Sequence, residues 1–475
     1  MSGEATPVLQ QALPAAVRPE AFPADPDFPQ LAVAGDPALM LEVFRTHLKP
    51  VAGRRYHVEI CIPFLFRCRH STPRCVLQYT LRLRDPNAGH ELDQSVTGLV
   101  YAREGEAERL WREMRTAAPH HDIPEPWLTF EPVDFIPDLQ MVVQVFPYDR
   151  KIPQLGRVMH GSLPGLEPLL LARLGWGSWR VTGTKIEPMR YRTELGAALR
   201  YAIKAHDALT RRTETLRCYL KVYRNEQGSE TFQLLRSWSE RTADGRRPYA
   251  VVRPIAYVSE LRTLALEEAP GASLQQILVQ GVDPAGPARA VARAAAAFNQ
   301  DDLAITRRRT VADQLDDVGL AATLVRWACP HLGARVEAIA AAVAAGLEDV
   351  PPAPIHADLK PDHIFLSGDR AIFIDLDSAA MGDPVRDPAH LFAFVTCSVG
   401  LDSVPAGAAR AAATAFVEEY FSRVPSSWRR RFAVHCAGAL LEVASRTFRH
   451  QEPRWREKAA AAVEQAELAL SGAFG

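Results

Sequence analysis

The stretch that most constrains this chain is residues 355–384, with the sequence IHADLKPDHIFLSGDRAIFIDLDSAAMGDP. Two short apolar runs, Ile364–Leu366 and Ala371–Ile374, flank a Ser-Gly-Asp turn at 367–369. Apolar runs on either side of a glycine-containing turn are typical of a β-hairpin. Because a hairpin brings its two ends together, the residues before its first strand and after its second are expected to lie side by side.

Acidic residues cluster at both ends of this predicted hairpin. Asp358 and Asp362 precede it, and Asp375 and Asp377 follow it. Asp358 and Asp375 are therefore expected to share one cleft. Carboxylates crowded into a cleft repel each other unless a cation lies among them. Since Mg²⁺ prefers carboxylate oxygens and substrate phosphates, it is the predicted cation.

Three motifs in this region resemble those of one known superfamily. The catalytic loop H-x-D-x-x-x-x-N of the protein kinase-like superfamily is similar to HADLKPDH at 356–363, and its metal-binding D-F-G element is similar to IDLD at 374–377. The segment GDPVRDPAHL at 382–391 is closest to the aminoglycoside phosphotransferase-like branch of small-molecule kinases. The resemblance implies an α+β, protein kinase-like bilobal fold, with a β-rich N-lobe and a mainly helical C-lobe.

The same resemblance implies a role for each matching residue. Asp358 would be the catalytic base that receives the proton of the substrate hydroxyl, and Asp375 would hold Mg²⁺. His356 and Asp387 would brace the catalytic loop, and Lys360 would reach the transferring phosphate. The implied phosphate donor is ATP.

One residue departs from the family pattern. His363 stands where the family has Asn or sometimes Gln as a second metal ligand. Imidazole nitrogen is a poorer Mg²⁺ ligand than an amide oxygen and favours Mn²⁺ more. Two interpretations stay open: His363 is a metal ligand, with Mn²⁺ as an alternative ion, or it points away and hydrogen-bonds to the backbone.

Composition excludes several classes of protein. The chain has 475 residues, 47% of them hydrophobic and 23% charged, and a formal net charge of −1. Such a balance offers no basic surface for nucleic acid or for an anionic membrane. No apolar run approaches the roughly 20 residues that span a bilayer, and the N-terminus lacks the basic start and apolar core of a signal peptide. The seven cysteines contain no C-x-x-C pair, which suits reduced thiols and a cytoplasmic location.

Two β-rich segments earlier in the chain repeat one pattern of strands, one helix and further strands. They superpose at an offset of 122 residues, with sparse identities that include Tyr79 on Tyr201 and Asp85 on Asp207. A chance alignment of β-rich segments is the alternative. Since this order of elements is that of a kinase N-lobe, the resemblance suggests two N-lobe-like units in tandem.

Only the second β-rich segment carries the residues that the family uses for nucleotide. Lys221 lies mid-strand in CYLKVY, where the first β-rich segment has Leu99, so the first segment is predicted to be a degenerate copy. The alternative is that Lys221 is an ordinary solvent-facing strand residue. Glu230, with Glu240 in reserve, is the predicted partner of Lys221 at the start of the following helix.

Two further segments complete the predicted nucleotide site. The loop at 192–196, which contains a single glycine, Gly196, would lie over the nucleotide phosphates. The hinge whose backbone meets adenine would include Glu267, Glu268 and Ala269. Pro270-Gly271 would then end the strand, and a helix would follow.

The predicted organisation is a flexible tail followed by three domains. The tail covers residues 1–30, the degenerate N-lobe-like domain 31–160 and the kinase-like N-lobe 161–268. The helical C-lobe with the catalytic loop covers 269–475, where the apolar residues recur at helical spacing.

The sequence favours an ATP-dependent phosphotransferase that moves the γ-phosphate to a hydroxyl of a small molecule, such as a sugar or an aminoglycoside. Little room exists for an activation segment between Asp383 and Asp387, which argues against a protein kinase. The alternative is a pseudokinase-like protein that binds nucleotide or a partner with little transferase activity. Neither the acceptor nor an oligomeric state is specified by the sequence.

Overall fold

A computed structural model describes residues 22–69, 74–86, 89–117, 122–163, 165–281 and 283–472. The chain forms two compact units. The first holds the residues up to 229 with 255–267 and 449–453, and the second holds 230–254, 268–448 and the residues from 454 onward. The domain boundaries predicted from the sequence stay a prediction.

Residues 1–21 of the predicted flexible tail lie outside the described residues. The prediction of a flexible tail is corrected at residues 22–30. Phe22 and Phe28 are buried, and the ring of Phe22 packs edge-on against Phe66 with centroids 5.2 Å apart. Phe22 and Phe28 therefore anchor this segment, because their aromatic side chains contribute to a core.

The first unit begins with a five-stranded antiparallel sheet in the order β1-β2-β3-β5-β4. The helix Pro37–His47 precedes it, and the side chain of Asp36 caps that helix by accepting hydrogen bonds from two backbone N–H groups, as is typical of an aspartate at the N-cap. The elements are α1 (Leu31–Ala34), α2 (Pro37–His47), β1 (His57–Arg69), β2 (Arg74–Arg84), β3 (Glu91–Tyr101), α3 (Glu106–Ala117), β4 (Val133–Ile136), β5 (Met141–Val145), α4 (Leu155–Met159) and α5 (Glu167–Leu171).

A second five-stranded sheet in the first unit has the same topology, in the order β6-β7-β8-β11-β10. Its strands are β6 (Trp179–Arg192), β7 (Gly196–Asp207), β8 (Thr213–Tyr223), β10 (Pro254–Val258) and β11 (Thr263–Leu266). Two further elements lie between β8 and β10 in the chain. They are α6 (Gln227–Arg241), which continues into the second unit, and β9 (Tyr249–Val251), which belongs to a sheet of the second unit.

The internal repeat predicted at an offset of 122 residues is confirmed by these two sheets. Both ends of β8 lie 122 residues after the corresponding ends of β3. Even a local backbone feature repeats: Gln140 and Arg262 both adopt the left-handed conformation, with φ of 43° and 44°. We call the two copies the first repeat and the second repeat.

The second unit is mainly helical around small sheets. One sheet has the order β12-β14-β15-β9 and another pairs β13 with β16. The elements are α7 (Leu274–Gln280), α8 (Ala285–Asn299), α9 (Val311–Ala328), α10 (Gly333–Gly346), α11 (Arg386–Thr396), α12 (Ala406–Phe421), α13 (Ser426–Arg429), α14 (Phe432–Arg449) and α15 (Trp455–Leu470), with β12 (Ala272–Ser273), β13 (Ala353–Ile355), β14 (Ile364–Ser367), β15 (Arg370–Phe373) and β16 (Ala380–Gly382).

The two consecutive strands β9 and β10 belong to different sheets. The first, β9, runs parallel to β15 in the second unit, whereas β10 belongs to the sheet of the second repeat. Gly271 then allows a close passage of the chain, since a Cβ there would lie 1.9 Å from the carbonyl oxygen of Leu366, and its φ is +89°. Ser273 caps α7 through a capping box with Gln276.

Among the described residues, no helix is both long and apolar enough to cross a membrane.

Candidate active site

The predicted hairpin is confirmed and fixes the geometry of the site. β14 and β15 are antiparallel, with Ile364 opposite Phe373. One residue beyond that pair, the Ile374 N–H donates to the carbonyl oxygen of His363 at 3.0 Å. The pairing therefore delivers His363 and Asp375 to the same end of the hairpin.

The start of the catalytic loop is held by a buried carboxylate. Asp387, in the first turn of α11, accepts hydrogen bonds from the backbone N–H groups of His356 at 2.8 Å and Ala357 at 2.9 Å. The side-chain amide of Asn299 donates to the same carboxylate at 2.9 Å and to the carbonyl oxygen of Pro354 at 2.8 Å. These bonds fix the backbone that leads into Asp358.

His356 joins the two halves of the site. Its Nδ1 accepts a hydrogen bond from the Asp358 N–H at 3.3 Å, which leaves the proton on Nε2. Nε2 donates to the carbonyl oxygen of Ile374 at 2.9 Å, and the side chain is fully buried. The imidazole thus ties the backbone of Asp358 to Ile374, the residue before Asp375.

Two non-glycine residues of the site adopt left-handed backbone conformations. Ala357 has φ of 64° and Asp375 has φ of 59°. Residues with side chains rarely adopt this region, and they do so at active sites where surrounding bonds enforce it. Here the strained residues are the one before Asp358 and Asp375 itself.

Asp358 and Lys360 form an ion pair at the mouth of the site. The Lys360 Nζ lies 3.1 Å from the Asp358 Oδ2, and the Asp358 side chain keeps 35% of its surface exposed. Burial alone would raise the pKa of Asp358, but the charges of Lys360 and His363 outweigh it and hold that pKa below its ordinary range. The carboxylate is therefore ionised and accessible at neutral pH.

His363 has different partners on its two ring nitrogens. Its Nδ1 lies 3.0 Å from the carbonyl oxygen of Asp358, which can only accept, so Nδ1 carries the proton. Burial, and then the charge of Lys360, lowers the pKa of His363 to about 4. In the neutral ring Nε2 is an acceptor, and it faces the Oδ2 of Asp375 at 3.2 Å. A proton or a metal cation between these two atoms would stabilise the contact.

The donor set fits a divalent metal ion. Ligand atoms of Asp358, His363 and Asp375 all lie within 4.8 Å of one another. Two carboxylates and an imidazole are ligands of Mg²⁺ or Mn²⁺, with the nitrogen favouring Mn²⁺. One ring nitrogen of His363 bonds the backbone and the other faces the carboxylate of Asp375, so its role as a metal ligand stays a prediction.

The second unit thus brings together five of the residues that the sequence singled out: His356, Asp358, Lys360, His363 and Asp375. The roles assigned to them stay predictions.

The remaining residues of the predicted nucleotide site are described unit by unit. Gly196, Lys221 and Glu267 belong to the first unit, and Glu230, Glu268 and Ala269 to the second. Their roles also stay predictions.

Lys221 lies near the C-terminal end of β8 and is half-buried. Its cross-strand neighbours are Ala198 on β7 and Leu264 on β11. Glu267 follows β11 and forms an ion pair with Arg173 at 3.2 Å. Glu230 is exposed in the first turn of α6.

Sequence reasoning missed the buried residues behind the catalytic loop. Asn299 ends the alanine-rich α8, and its side-chain oxygen accepts a hydrogen bond from the hydroxyl of Tyr420 at 3.0 Å. His390 is also buried, with Nδ1 2.9 Å from the carbonyl oxygen of Leu359. The signal in the sequence that could have identified Asn299 is its place as a polar residue at the end of an apolar helix. Such a residue is equally typical of a helix cap.

Part of the chain matches a known family. Residues 206–428 match the model of the Phosphotransferase enzyme family, APH. The resemblance inferred from the sequence motifs is confirmed by this match, and so is the α+β, protein kinase-like fold. No match is found among curated proteins.

Several solved structures are similar to the chain. A choline/ethanolamine kinase family protein from Mesorhizobium loti is 15% identical, with 61% of this chain and 89% of that chain covered and a TM-score of 0.38. The aminoglycoside phosphotransferase APH(2'')-Ib, ADP-bound, is 10% identical, with 64% and 98% covered and a TM-score of 0.40. The amicoumacin kinase hAmiN, in complex with AMP-PNP and Ca²⁺, is 12% identical, with 64% and 92% covered and a TM-score of 0.41.

Proposed function

From the phosphotransferase family region at residues 206–428, we propose that this protein is an ATP-dependent phosphotransferase that transfers the γ-phosphate to a hydroxyl group of a small molecule. The observation that carries the proposal is the arrangement of three ligand atoms, on Asp358, His363 and Asp375, within 4.8 Å of one another. An accessible carboxylate next to a metal-binding pair is what transfer to an alcohol requires.

Asp358 receives the acceptor hydroxyl. Its carboxylate is ionised, partly exposed and held by Lys360, so it accepts a hydrogen bond from the hydroxyl and orients the oxygen toward the phosphate. A carboxylate with a low pKa is a weak base, so its main contribution is orientation, and it takes the proton late in the transfer.

Asp375 and His363 would hold Mg²⁺ or Mn²⁺. The bound ion supplies positive charge that neutralises the phosphate oxygens of the nucleotide. Lys360, 8% exposed beside Asp358, keeps that carboxylate ionised and adds positive charge to the same site. In the first unit, Lys221 is the residue proposed to bind the nucleotide phosphates.

A nucleotide titration followed by an activity assay tests the proposal. ATP with Mg²⁺ or Mn²⁺ is expected to raise the melting temperature, since a ligand that binds only the folded state stabilises it. ATP consumption is then measured against a panel of sugars and aminoglycosides. Asp358→Asn is expected to keep the ATP-dependent shift and to lower turnover by about 10²–10⁴-fold, the scale of losing a carboxylate that orients the hydroxyl and accepts its proton.

The matched control is Asp369→Asn, which removes an exposed carboxylate in the turn of the same hairpin. It is expected to leave turnover unchanged. If turnover of Asp358→Asn stays within a few-fold of the wild type, Asp358 is not the residue that receives the acceptor hydroxyl. Absence of a nucleotide shift, or a shift without consumption of ATP for any acceptor, would favour the pseudokinase-like alternative.

A further inference from the structure

The tip of the β6–β7 hairpin is buried, which is unusual for a hairpin turn. Arg192 pairs with Gly196 at the end of the ladder, and the turn between them carries Thr193 and Glu194. These two residues are 0% and 1% exposed. Glu194 also has a left-handed backbone, with φ of 62°. Other parts of the first unit therefore enclose this tip.

Two arginines enclose the carboxylate of Glu194. Arg74, the first residue of β2, donates from its two terminal nitrogens to the two carboxylate oxygens at 3.1 and 2.6 Å. Arg150 donates from Nε at 2.7 Å. Burial alone would raise the pKa of Glu194, but Arg74, followed by Arg150, holds that pKa below its ordinary range. A two-pronged contact of this kind fixes orientation as well as charge.

The backbone of the tip is held by further buried groups. The Glu194 N–H donates to the carboxylate of Asp149 at 2.7 Å, and the hydroxyl of Tyr191 donates to the same oxygen at 2.8 Å. The carbonyl oxygen of Thr193 accepts from the guanidinium of Arg67 at 2.5 Å.

The first repeat supplies two more contacts to Thr193. Its N–H donates to the side-chain oxygen of Gln78 at 3.3 Å, and its hydroxyl lies 2.5 Å from that of Thr97. Gln78 and Thr97 are 0% and 1% exposed. Together with Arg67, Arg74, Asp149 and Arg150, they make a polar socket from β1, β2, β3 and the segment after β5.

The two repeats have diverged at this position. Arg74 lies opposite Tyr101 in the first sheet, and Gly196 lies opposite Tyr223 at the equivalent position of the second. The first repeat therefore presents an arginine where the second has a glycine. The arginine of one hairpin binds the glutamate at the tip of the other.

We propose that the first repeat is a built-in clamp that positions the β6–β7 hairpin for nucleotide, with Arg74, Asp149 and Arg150 as positioning residues. The inference rests on the proposed function, in which Lys221, on the strand paired with β7, binds the nucleotide phosphates. Ala198, two residues beyond Gly196, is the cross-strand neighbour of Lys221. A tip fixed in the socket therefore fixes the strand next to Lys221.

The test compares Arg74→Gln and Glu194→Gln with the wild type in two measurements. Hydrogen exchange of residues 192–198 is expected to become faster in both variants, since the amides lose a buried anchor. The KM for ATP is expected to rise about tenfold while kcat changes by less than about threefold, because a positioning role acts on nucleotide binding. A general loss of folded protein would instead lower the active fraction without raising KM.

The control is Glu187→Gln on the same hairpin. Glu187 pairs with Arg200 and Lys185 away from the tip, so its loss is expected to leave both measurements unchanged. Arg150→Gln is a milder second variant, because its guanidinium is 22% exposed and the pair between Arg74 and Glu194 survives.

The outcomes separate the two proposals. Unchanged exchange at 192–198 in the three socket variants would overturn the clamp, and so would a lower KM for ATP, which would make the socket inhibitory. A wild-type protein without nucleotide binding would overturn the proposed function and the clamp's role in it. Even then, faster exchange at residues 192–198 in the socket variants would establish the socket as the anchor of the hairpin.

Discussion

His363 shows how one side chain serves two bonds. Its Nδ1 donates to the carbonyl oxygen of Asp358, and that bond leaves Nε2 free of a proton and directed at Asp375. A hydrogen bond on one ring nitrogen commonly fixes which nitrogen binds a metal. The residue that departs from the family pattern therefore presents the atom that a metal ion needs.

The first prediction concerns this imidazole. His363→Asn replaces a nitrogen ligand by an amide oxygen, and the preference for Mn²⁺ over Mg²⁺ is expected to fall, since oxygen ligands suit Mg²⁺. ATP-dependent turnover is measured at increasing concentrations of each ion in the two proteins. Equal metal preferences would show that His363 is not a ligand.

The second prediction concerns the carboxylate opposite it. Asp375→Ala is expected to abolish the part of ATP binding that depends on the metal, because the remaining ligands cannot hold the ion against water. ATP affinity is titrated with and without Mg²⁺, and Asp369→Asn in the hairpin turn is the control. If Mg²⁺ tightens ATP binding equally in Asp375→Ala, the ion binds elsewhere.

At the scale of elements, the connection from β16 to α11 is anchored to α14. Asp383 accepts hydrogen bonds from the guanidinium of Arg431 at 2.8 and 3.0 Å, and the Nε2 of His435 lies 3.0 Å from its carboxylate. Burial alone would raise the pKa of Asp383, but His435 and Arg431 hold it below its ordinary value of 3.8. The corner next to the catalytic loop therefore depends on one buried carboxylate.

The third prediction follows from the sign of this shift. A lowered folded-state pKa stabilises the fold above the unfolded-state value, and the stabilisation is lost as the pH falls through the folded-state pKa. Asp383→Asn is expected to lower the free energy of unfolding by about 3 kcal/mol at pH 7, because it leaves Arg431 buried without its counter-charge. The difference from the wild type is expected to shrink in acid.

Urea unfolding at neutral and acid pH measures this difference. The control is Asp402→Asn, which breaks a pair with Lys458 on an exposed carboxylate and is expected to have little effect. A difference that stays constant from neutral pH into the acid range would contradict the assignment.

At the scale of the whole molecule, two equivalent sheets have unequal chemistry. Lys221 is half-buried on β8, whereas Leu99, at the equivalent position of β3, is fully buried between Val76 and Val142. In the first repeat, this position belongs to the hydrophobic core. The burial of Leu99 supports the prediction that the first repeat is a degenerate copy, which stays a prediction.

The fourth prediction concerns stoichiometry. Calorimetric titration is expected to give one ATP per wild-type chain, and Lys221→Ala is expected to weaken that binding. Leu99→Lys is expected to destabilise the protein without adding a site, because a lysine there would be a buried charge without a partner. Two nucleotides per wild-type chain would contradict the prediction.

The sequence by itself determined the local secondary structure and the β14–β15 hairpin. Local rules suffice for these: Asp36 and Ser273 cap helices through their own neighbours, and the turn at 367–369 sets the register that joins the two ends of the hairpin. The repeat was also readable, because equal spacing of strands along the chain survives when most identities are lost.

Only the tertiary structure decided which residues brace the site and what encloses the second hairpin. Asn299 reaches Asp387, and Glu194 reaches Arg74, across 88 and 120 residues of chain. No local pattern marks such partners, since an asparagine at a helix end and a glutamate in a turn are each common on exposed surfaces. Burial gives these polar groups their partners, because a polar group removed from water must find a hydrogen bond inside the protein.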